Sequence, residues 1–169
     1  MEHTAYIALG SNLEDRAANL RTAVRSMPPE VVPVDCSPVY QTPPWGFENQ
    51  PPFLNQVIKA RTNLKPEDLL GFLKQLEKVI GRKQTFRYGP RLIDLDILFF
   101  DELIINSSDL KIPHPRMQDR AFVLVPLSEI APDYLHPVLL VPVRDLVSVI
   151  DIDGIDWFSS GDCGKMVEV

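Results

Sequence analysis

Residues 87–98 read Arg-Tyr-Gly-Pro-Arg-Leu-Ile-Asp-Leu-Asp-Ile-Leu and lead into the strongest strand signal of the chain, Leu92 to Phe100. Because side chains alternate between the faces of a strand, Asp94 and Asp96 share one face and their apolar neighbours share the other. Two carboxylates on an apolar strand are costly to bury unless their charge is neutralised. Mg²⁺ held by carboxylates and substrate phosphates would neutralise them, and a spacing of roughly 6.6 Å suits a pair of ions. An ion pair at an exposed strand end is the alternative.

The residues just before this strand are strongly basic. Residues 81–91 contain four cations and no acid, within a chain whose net charge is −6. Arginine side chains match the oxygens of phosphates, so a basic loop beside a di-acid strand favours a metal–polyphosphate site over a solvated surface loop. His114, held between Pro113 and Pro115, is a candidate hydrogen-bond donor to the same phosphates. The cations of the loop are Arg82, Lys83, Arg87 and Arg91.

Four prolines fall among the eleven residues 42–52, which predicts an ordered loop, because proline lacks the amide that helices and central strands need. Aromatic residues near this loop could stack on a flat heterocycle, and Asn55, on the same strand face as Phe53, could read the edge of a ring. Packing in the core is the alternative for Phe53 and Phe122. The candidate stacking residues are Trp45, Phe53, Tyr88 and Phe122.

The periodicity of apolar residues predicts a β-α-β-β-α-β core followed by a third helix. This order indicates an α+β, ferredoxin-like α/β sandwich with the helices on one face of an antiparallel sheet. We expect a single domain over residues 1–169, with 151–169 as a short C-terminal appendage. The predicted strands are Thr4–Leu9, Val31–Gln41, Phe53–Thr62 and Leu92–Phe100, the last paired through Asp101-Glu102 with Leu103–Ile105. Three helices are predicted. The first follows a capping box at Asn12 and Asp15, the second runs from about Pro66 to the C-cap Gly81, and the third spans about Met117–Ile130.

Composition limits the classes of partner. A chain of 169 residues with 17 Lys and Arg against 23 Asp and Glu is not expected to coat nucleic acid or to attach to membranes through basic residues. No stretch of 18 apolar residues and no basic leader is present, so we expect a cytoplasmic protein that does not span a membrane, and we favour a monomer. The two cysteines, Cys36 and Cys163, lie far apart in sequence and indicate neither a disulfide scaffold nor a zinc site, which fits a reducing cytosol.

Five motifs in this order resemble the 6-hydroxymethyl-7,8-dihydropterin pyrophosphokinase family of folate biosynthesis, over roughly residues 4–135. The resemblance implies a ferredoxin-like fold and transfer of pyrophosphate from ATP to a pterin alcohol, with release of AMP and with two Mg²⁺ ions as cofactors. The implied partners are therefore small molecules, the pterin alcohol and the co-substrate ATP. The motifs are Tyr-Ile-Ala-Leu-Gly-Ser-Asn at 6–12, Thr-Pro-Pro-Trp-Gly at 42–46, Phe-Leu-Asn at 53–55, the stretch 87–98 and Ile-Pro-His at 112–114.

The resemblance also implies a role for individual residues. Asp94 and Asp96 would hold the metal ions, and the implied catalytic residues are Arg82, Arg91 and Asp96. The implied ATP-binding residues are Glu77, Arg82, Arg87, Arg91, Ile97, His114 and Arg120. The implied pterin-binding residues are Thr42, Pro43, Pro44, Trp45, Phe53, Asn55 and Phe122. The loops at residues 10–15, 43–52 and 82–91 would close over both substrates.

The chain departs from the family pattern in a few positions. The loop at 81–91 is one residue shorter than usual, so that Lys83 is the nearest counterpart of a second loop arginine. Phe53 stands where tyrosine is common and Tyr88 where tryptophan is common. Asp109 and Lys111 replace an arginine and a threonine that contact the nucleotide in the family.

Two other functions remain open from the residues alone. One is a small-molecule kinase that releases ADP, although the chain has no Gly-x-x-x-x-Gly-Lys-Ser/Thr phosphate loop. The other is a ligand-binding ferredoxin-like module without catalysis, in which the two aspartates would form structural ion pairs.

Overall fold

The computed structural model describes residues 1–44, 46, 48–81, 89–161 and 163. No helix within this part of the chain is long and apolar enough to cross a membrane. The strands are β1 (His3–Ser11), β2 (Val31–Cys36), β3 (Val39–Thr42), β4 (Phe53–Thr62), β5 (Asp94–Phe100), β6 (Ile105–Asn106), β7 (Lys111–Ile112) and β8 (Asp156–Ser159). The helices are α1 (Arg16–Arg25), α2 (Pro66–Ile80), α3 (Ala121–Ile130) and α4 (Val143–Ser148), with a 3₁₀ turn at Met117–Asp119.

The main sheet is antiparallel and has the order β5-β1-β4-β3-β8, while β2 pairs with the remaining length of β4. The two central strands, β1 and β4, are therefore adjacent in space although helix α1 and two strands separate them in sequence. This is the order expected of a split β-α-β fold. The predicted α+β, ferredoxin-like arrangement is confirmed.

Helices cover both faces of the sheet, which corrects the prediction that they lie on one face. Alternate residues of β1 supply both cores: Ala5, Ile7 and Leu9 are buried on the side of α1 and α2. Tyr6 is buried with α3 and α4 on the other side, together with Phe99 of β5. The second face of the sheet is apolar as well, so it needs a cover of its own, and the apolar helix α3 provides it.

The predicted strand Val31–Gln41 is interrupted at Ser37-Pro38. Proline cannot donate a ladder hydrogen bond, and Ser37 bridges the gap with its side chain. The backbone amide of Ser37 donates to the carbonyl of Val57 at 2.9 Å, and the Ser37 hydroxyl accepts from the Val57 amide at 2.9 Å. The result is two shorter strands, β2 and β3, that pair with different parts of β4.

The predicted hairpin after Phe100 is wrong: Asp101 continues the pairing of β5 with β1 by one residue, and Ile105 pairs with β7 and not with β5. The amide of Asp101 donates to the carbonyl of Thr4 at 2.8 Å, and the Asp101 carboxylate accepts from the Thr4 amide at 2.8 Å. Residues 105–106 then pair with residues 111–112 as a separate two-stranded sheet. The third helix is also shorter than predicted, since the 3₁₀ turn at Met117–Asp119 precedes α3.

Helix α1 begins at a different residue from the one predicted. Its N-cap is Asp15, whose carboxylate accepts from the amide of Ala18 at 3.1 Å. Asn12 lies outside the helix and makes its hydrogen bonds to two other segments, described below. The predicted capping box is therefore wrong for Asn12.

The tail from residue 151, predicted as an appendage, contributes the edge strand β8, which pairs with β3. This pairing brings Cys163 next to the end of β2, where it forms a disulfide with Cys36 across a sequence separation of 127 residues. The expectation that the cysteines form no disulfide is therefore wrong. Sequence spacing does not reveal such a pair, because only the strand order brings the two thiols together.

Two glycines of α2 allow a matched test of helix stability. Gly81 ends the helix in the left-handed region, with φ 105°, and its amide donates to the carbonyls of Glu77 and Lys78 at 3.2 and 3.1 Å. A side chain is strained there, so we expect Gly81→Ala to lower the free energy of unfolding by about 1–2 kcal/mol. Gly71 is exposed inside the same helix with open space around it, so Gly71→Ala should raise that free energy by about 0.5–1 kcal/mol. Urea unfolding of both variants measures the difference, and a stabilising Gly81→Ala would contradict the assignment.

Candidate active site

A cavity of about 330 Å³ opens where the ends of β1, β4 and β5 meet the start of α3. It lies on the α3 face of the sheet, where the side chains of the two aspartates and of Asn55 point. Most residues singled out from the sequence and described in the structure line this cavity. Its lining is Ala8, Leu9, Gly10, Thr42, Pro43, Phe53, Asn55, Gln56, Gly89, Arg91, Asp94, Asp96, Leu98, His114, Arg120, Phe122 and Val123.

One wall of the cavity carries the two carboxylates of β5. Asp94 lies opposite Gly10 and Asp96 opposite Ala8 of β1, so neither carboxylate has a large side chain beside it on that strand. Burial, followed by the charge of Asp94, raises the pKa of Asp96 to about 7. The amine of Lys74 and the guanidinium of Arg120 act in the opposite direction and do not compensate this rise. The wall therefore favours an additional positive charge.

A divalent cation is the group that fits this wall. Among the described residues no cluster of three or more His, Cys, Asp or Glu side chains is placed to hold a metal ion. Mg²⁺ does not need such a cluster, because it is commonly bound by one or two carboxylates together with waters and substrate phosphates. Asp94 and Asp96 thus match an ion that arrives with a phosphorylated substrate.

Cationic and hydrogen-bonding groups lie next to the carboxylates. Arg91 and Arg120 line the cavity together with His114, whose backbone amide donates to the carbonyl of Leu98 at 3.0 Å. Burial and the charge of Arg120 lower the pKa of His114 to about 4, so the imidazole is neutral at neutral pH. Its Nδ1 accepts from the amide of Arg116 at 3.3 Å, which leaves the proton on Nε2. This wall therefore offers two guanidinium groups and a neutral N–H donor to anionic oxygens.

The other end of the cavity is aromatic and amide-lined. Phe53 and Asn55 of β4 face Phe122 of α3 there, beside Thr42 and Pro43 at the end of β3. The Asn55 amide nitrogen donates to the Thr42 hydroxyl at 2.6 Å, which fixes the orientation of its carboxamide. These groups suit a flat ring with polar edges.

Gly10 makes this arrangement possible. A Cβ atom at Gly10 would come within 2.9 Å of the Asn55 side-chain oxygen and 3.6 Å of the Phe53 ring. The strand pairing places Gly10 between Asp94 on one side and Asn55 on the other. Two strand spacings of about 4.8 Å each therefore separate the acidic wall from the amide, roughly 10 Å in total.

A comparison with known protein families agrees with this geometry. A family model described as 7,8-dihydro-6-hydroxymethylpterin-pyrophosphokinase (HPPK) matches residues 6–132. The chain belongs to this family. The resemblance carried by the five sequence motifs is thereby confirmed, and with it the predicted class of enzyme, an ATP-dependent diphosphotransferase of folate biosynthesis.

Relatives from distant organisms support the same assignment. The chain is 42% identical over 142 residues to the 2-amino-4-hydroxy-6-hydroxymethyldihydropteridine pyrophosphokinase of Aquifex aeolicus, covering 84% of this chain and 89% of that protein. It is 46% identical over 132 residues to the enzyme of the same name from Bacillus subtilis, covering 77% of this chain and 79% of that protein. Crystal structures of Plasmodium falciparum HPPK-DHPS share the fold, with a TM-score of 0.74 at 17% identity for one of them.

Some relatives are much longer than this chain. The match covers 88% of this chain but 43% of that Plasmodium chain. The folic acid synthesis protein FOL1 of Dictyostelium discoideum is 46% identical over 134 residues, which are 79% of this chain and 20% of that protein. The chain therefore spans less than half of that Plasmodium chain and a fifth of FOL1.

Three described residues that the family resemblance implies do not line the cavity. Pro44 follows Pro43 outside the lining. Glu77 is buried behind β5, where its Oε1 accepts from the Leu95 amide at 2.8 Å and from Lys74 at 3.3 Å. Ile97 packs in the core between the sheet and α1 and α2. Their implied contacts with substrates stay predictions, whereas Trp45, Arg82 and Arg87, with Lys83 and Tyr88, lie outside the described residues.

Sequence reasoning missed the residues that shape the floor of the cavity. Ala8 and Gly10 lie on the same face of β1, between β4, which carries Asn55, and β5, which carries the two aspartates. Their small size was visible in the motif at residues 6–12, and two small residues at alternate positions of a central strand indicate a close approach of other groups. Lys74 was also missed, because its proximity to Asp96 depends on how α2 packs against β5.

The raised pKa of Asp96 predicts a pH-dependent stability of the metal-free protein. The pKa of this carboxyl rises on folding from 3.8 to about 7, so its contribution to stability is fully present below pH 3.8 and is lost progressively as the pH rises to about 7. We expect the melting temperature of Asp96→Asn, relative to the unsubstituted protein, to increase between pH 4 and pH 8. Thermal unfolding in the presence of a chelator measures this. The exposed Asp109→Asn serves as the control, and a pH-independent difference for Asp96→Asn would contradict the expectation.

Proposed function

We propose that this protein transfers pyrophosphate from ATP to the hydroxymethyl group of 6-hydroxymethyl-7,8-dihydropterin. The reaction takes place in the cavity, with two Mg²⁺ ions held by Asp94 and Asp96. The observation that carries the proposal is the arrangement of one cavity with two chemically different ends. One end combines carboxylates with arginines, which suits a metal-bound triphosphate. The other end combines aromatic rings with a fixed carboxamide, which suits a pterin.

The reaction is an in-line displacement at phosphorus. The hydroxyl oxygen of the pterin alcohol attacks the β-phosphorus of ATP, a new P–O bond forms, and the bond from the β-phosphorus to the bridging α–β oxygen breaks. AMP leaves with that oxygen and its electron pair, and the hydroxyl proton passes to Asp96 or to solvent. His114, with a pKa of about 4, is too weak a base for this proton and instead donates a hydrogen bond from Nε2 to the phosphates.

Electrostatic stabilisation and positioning account for most of the rate in such a reaction. Bound Mg²⁺ would neutralise phosphate charge as a Lewis acid. Arg91 and Arg120 would bind the phosphate oxygens, and on the family resemblance Arg82 and Arg87 would join them. Phe53 and Phe122 would sandwich the pterin ring while Asn55 and Thr42 bind its edge, with Trp45 added by resemblance.

Product analysis tests the proposed function directly. The protein is mixed with Mg²⁺-ATP, with and without the pterin alcohol, and the nucleotides are separated. We expect AMP to form only when the pterin alcohol is present. ADP in its place would identify an ordinary small-molecule kinase, and no pterin-dependent turnover would identify a binding module, which should bind ATP equally well without Mg²⁺.

Removal of one carboxylate tests the metal assignment. We expect Asp96→Ala to lower kcat by about a thousandfold or more, because the charge on the phosphates would no longer be neutralised. The fold should stay intact, as checked by circular dichroism. Glu67→Ala, which removes an exposed carboxylate in the first turn of α2 and outside the cavity lining, should retain full activity, and near-normal turnover of Asp96→Ala would refute the two-metal assignment.

Substitution of Arg91 tests whether this side chain stabilises the negative charge that develops on the phosphates during the chemical step. We expect Arg91→Ala to lower the rate of the chemical step by about a hundredfold, with a smaller effect on ATP affinity, since negative charge increases on the transferred phosphates in the transition state. Single-turnover kinetics combined with equilibrium binding of ATP separate the two effects. A loss confined to ATP affinity would contradict this role.

A further inference from the structure

Asn12 is a buried polar residue that the proposed reaction does not use. Its side chain is 1% exposed, it does not belong to the cavity lining, and it lies just after the end of β1. A buried carboxamide needs partners for its oxygen and for both N–H groups, because each unpaired group costs free energy. Asn12 has all of them.

The partners of Asn12 belong to two separate segments. The Asn12 Oδ1 accepts from the backbone amide of Arg91 at 2.7 Å, and the backbone amide of Asn12 donates to the carbonyl of Arg91 at 3.0 Å. Its Nδ2 donates to Oε1 of Gln50 at 2.9 Å and to the carbonyl of Pro51 at 3.0 Å. One side chain therefore connects the segment before β5 to the segment before β4.

Each of these segments carries one end of the cavity. Arg91 lines the phosphate end and precedes Asp94 by three residues, while Pro51 precedes Phe53 of the aromatic end by two residues. Strands β4 and β5 do not pair with each other, because β1 lies between them. Beyond the end of β1, the hydrogen bonds of Asn12 to Arg91 and Pro51 link the segments that lead into β5 and β4.

Arg16 strengthens one side of the same connection. Its Nη1 donates to the carbonyl of Pro52 at 3.0 Å and to Oε1 of Gln41 at 3.1 Å. Arg16 thus holds the start of β4 against α1 and β3. Asn12 adds the direct hydrogen bonds to Arg91, and with them the phosphate end.

We propose that Asn12 is a positioning residue that sets the distance between the pterin hydroxyl and the β-phosphorus of ATP. The proposal rests on the proposed function. An in-line attack requires the reacting atoms within about 3–3.5 Å, and a misplacement of about 1 Å can lower the rate roughly a hundredfold. A residue that fixes the separation of two binding subsites affects the chemical step more than the binding of either substrate alone.

Asn12→Asp tests this role with little change in shape. Aspartate keeps the acceptor for the Arg91 amide but loses both donors, and it places an oxygen against the carbonyl of Pro51. We expect the single-turnover rate of AMP formation to fall about 10- to 100-fold. The dissociation constants of the pterin alcohol and of α,β-methylene-ATP, each measured alone with Mg²⁺, should stay unchanged.

Asn19→Asp is the matched control. Asn19 lies in α1, and its Nδ2 donates to the Ser11 hydroxyl at 3.1 Å and to the Leu13 carbonyl at 3.0 Å, so the variant also loses two donors, to the residues on either side of Asn12. Neither of these bonds reaches the segments at Arg91 or Pro51. We expect the rate of Asn19→Asp to match that of the unsubstituted protein.

Gln50→Ala provides a second variant that keeps the test decisive if Asn12→Asp does not fold. It removes the acceptor of the Asn12 Nδ2 hydrogen bond while Asn12 itself is kept, and we expect a rate lower by about fivefold with both dissociation constants unchanged. An unchanged rate in the folded variants, or weakened binding with an unchanged rate of the bound complex, would overturn the positioning role. Absence of AMP formation by the unsubstituted protein would instead refute the proposed function.

Discussion

The pairing of β1 with β5 along one side and with β4 along the other is the constraint on which the site depends. It places Gly10 between Asp94 and Asn55, so that the acidic wall and the amide wall face one cavity at a separation of two strands. A bulky residue on β1 would fill this space, and Gly10 in particular lies too close to Asn55 for any side chain. The dimensions of the cavity are therefore a property of the backbone pairing, and the side chains on either side supply its chemistry.

Electrostatics distinguishes the end of the cavity that carries Asp96 and His114 from the aromatic end. Burial and the charge of Asp94 raise the pKa of Asp96, whereas burial and the charge of Arg120 lower the pKa of His114. Both shifts favour the neutral form of a group that lies in a partly buried place. A substrate that carries a divalent cation and phosphates together would complement this end of the cavity, because the cation would meet the carboxylates and the phosphates would meet the arginines. This complementarity explains why acids and bases occur side by side here.

Contacts between loops link the two ends beyond the sheet. Asn12 is held by backbone groups of Arg91 and Pro51, which are distant in sequence, and Glu77 fixes the Leu95 amide from behind β5. Each of these polar side chains is buried, and each holds a strand end that carries cavity residues. A local pattern assigned Asn12 to a helix cap, whereas contact of Glu77 with ATP is implied by the family resemblance and stays a prediction. Their hydrogen-bond partners lie in other parts of the chain, so no local pattern identifies them.

Features that depend only on neighbouring residues could be predicted from the amino-acid sequence. Alternation along β5 put Asp94 and Asp96 on one face, glycine ended α2 at Gly81, and the family motifs identified the class of enzyme. The strand order and the packing of the helices were needed to establish three other features: the break between β2 and β3, the helices on both faces of the sheet, and the pairing of β8 that brings Cys163 to Cys36. The physical reason is the range of the interactions: side-chain alternation and backbone conformation act over a few residues, whereas strand order and buried hydrogen bonds join segments whose separation along the chain carries no signal.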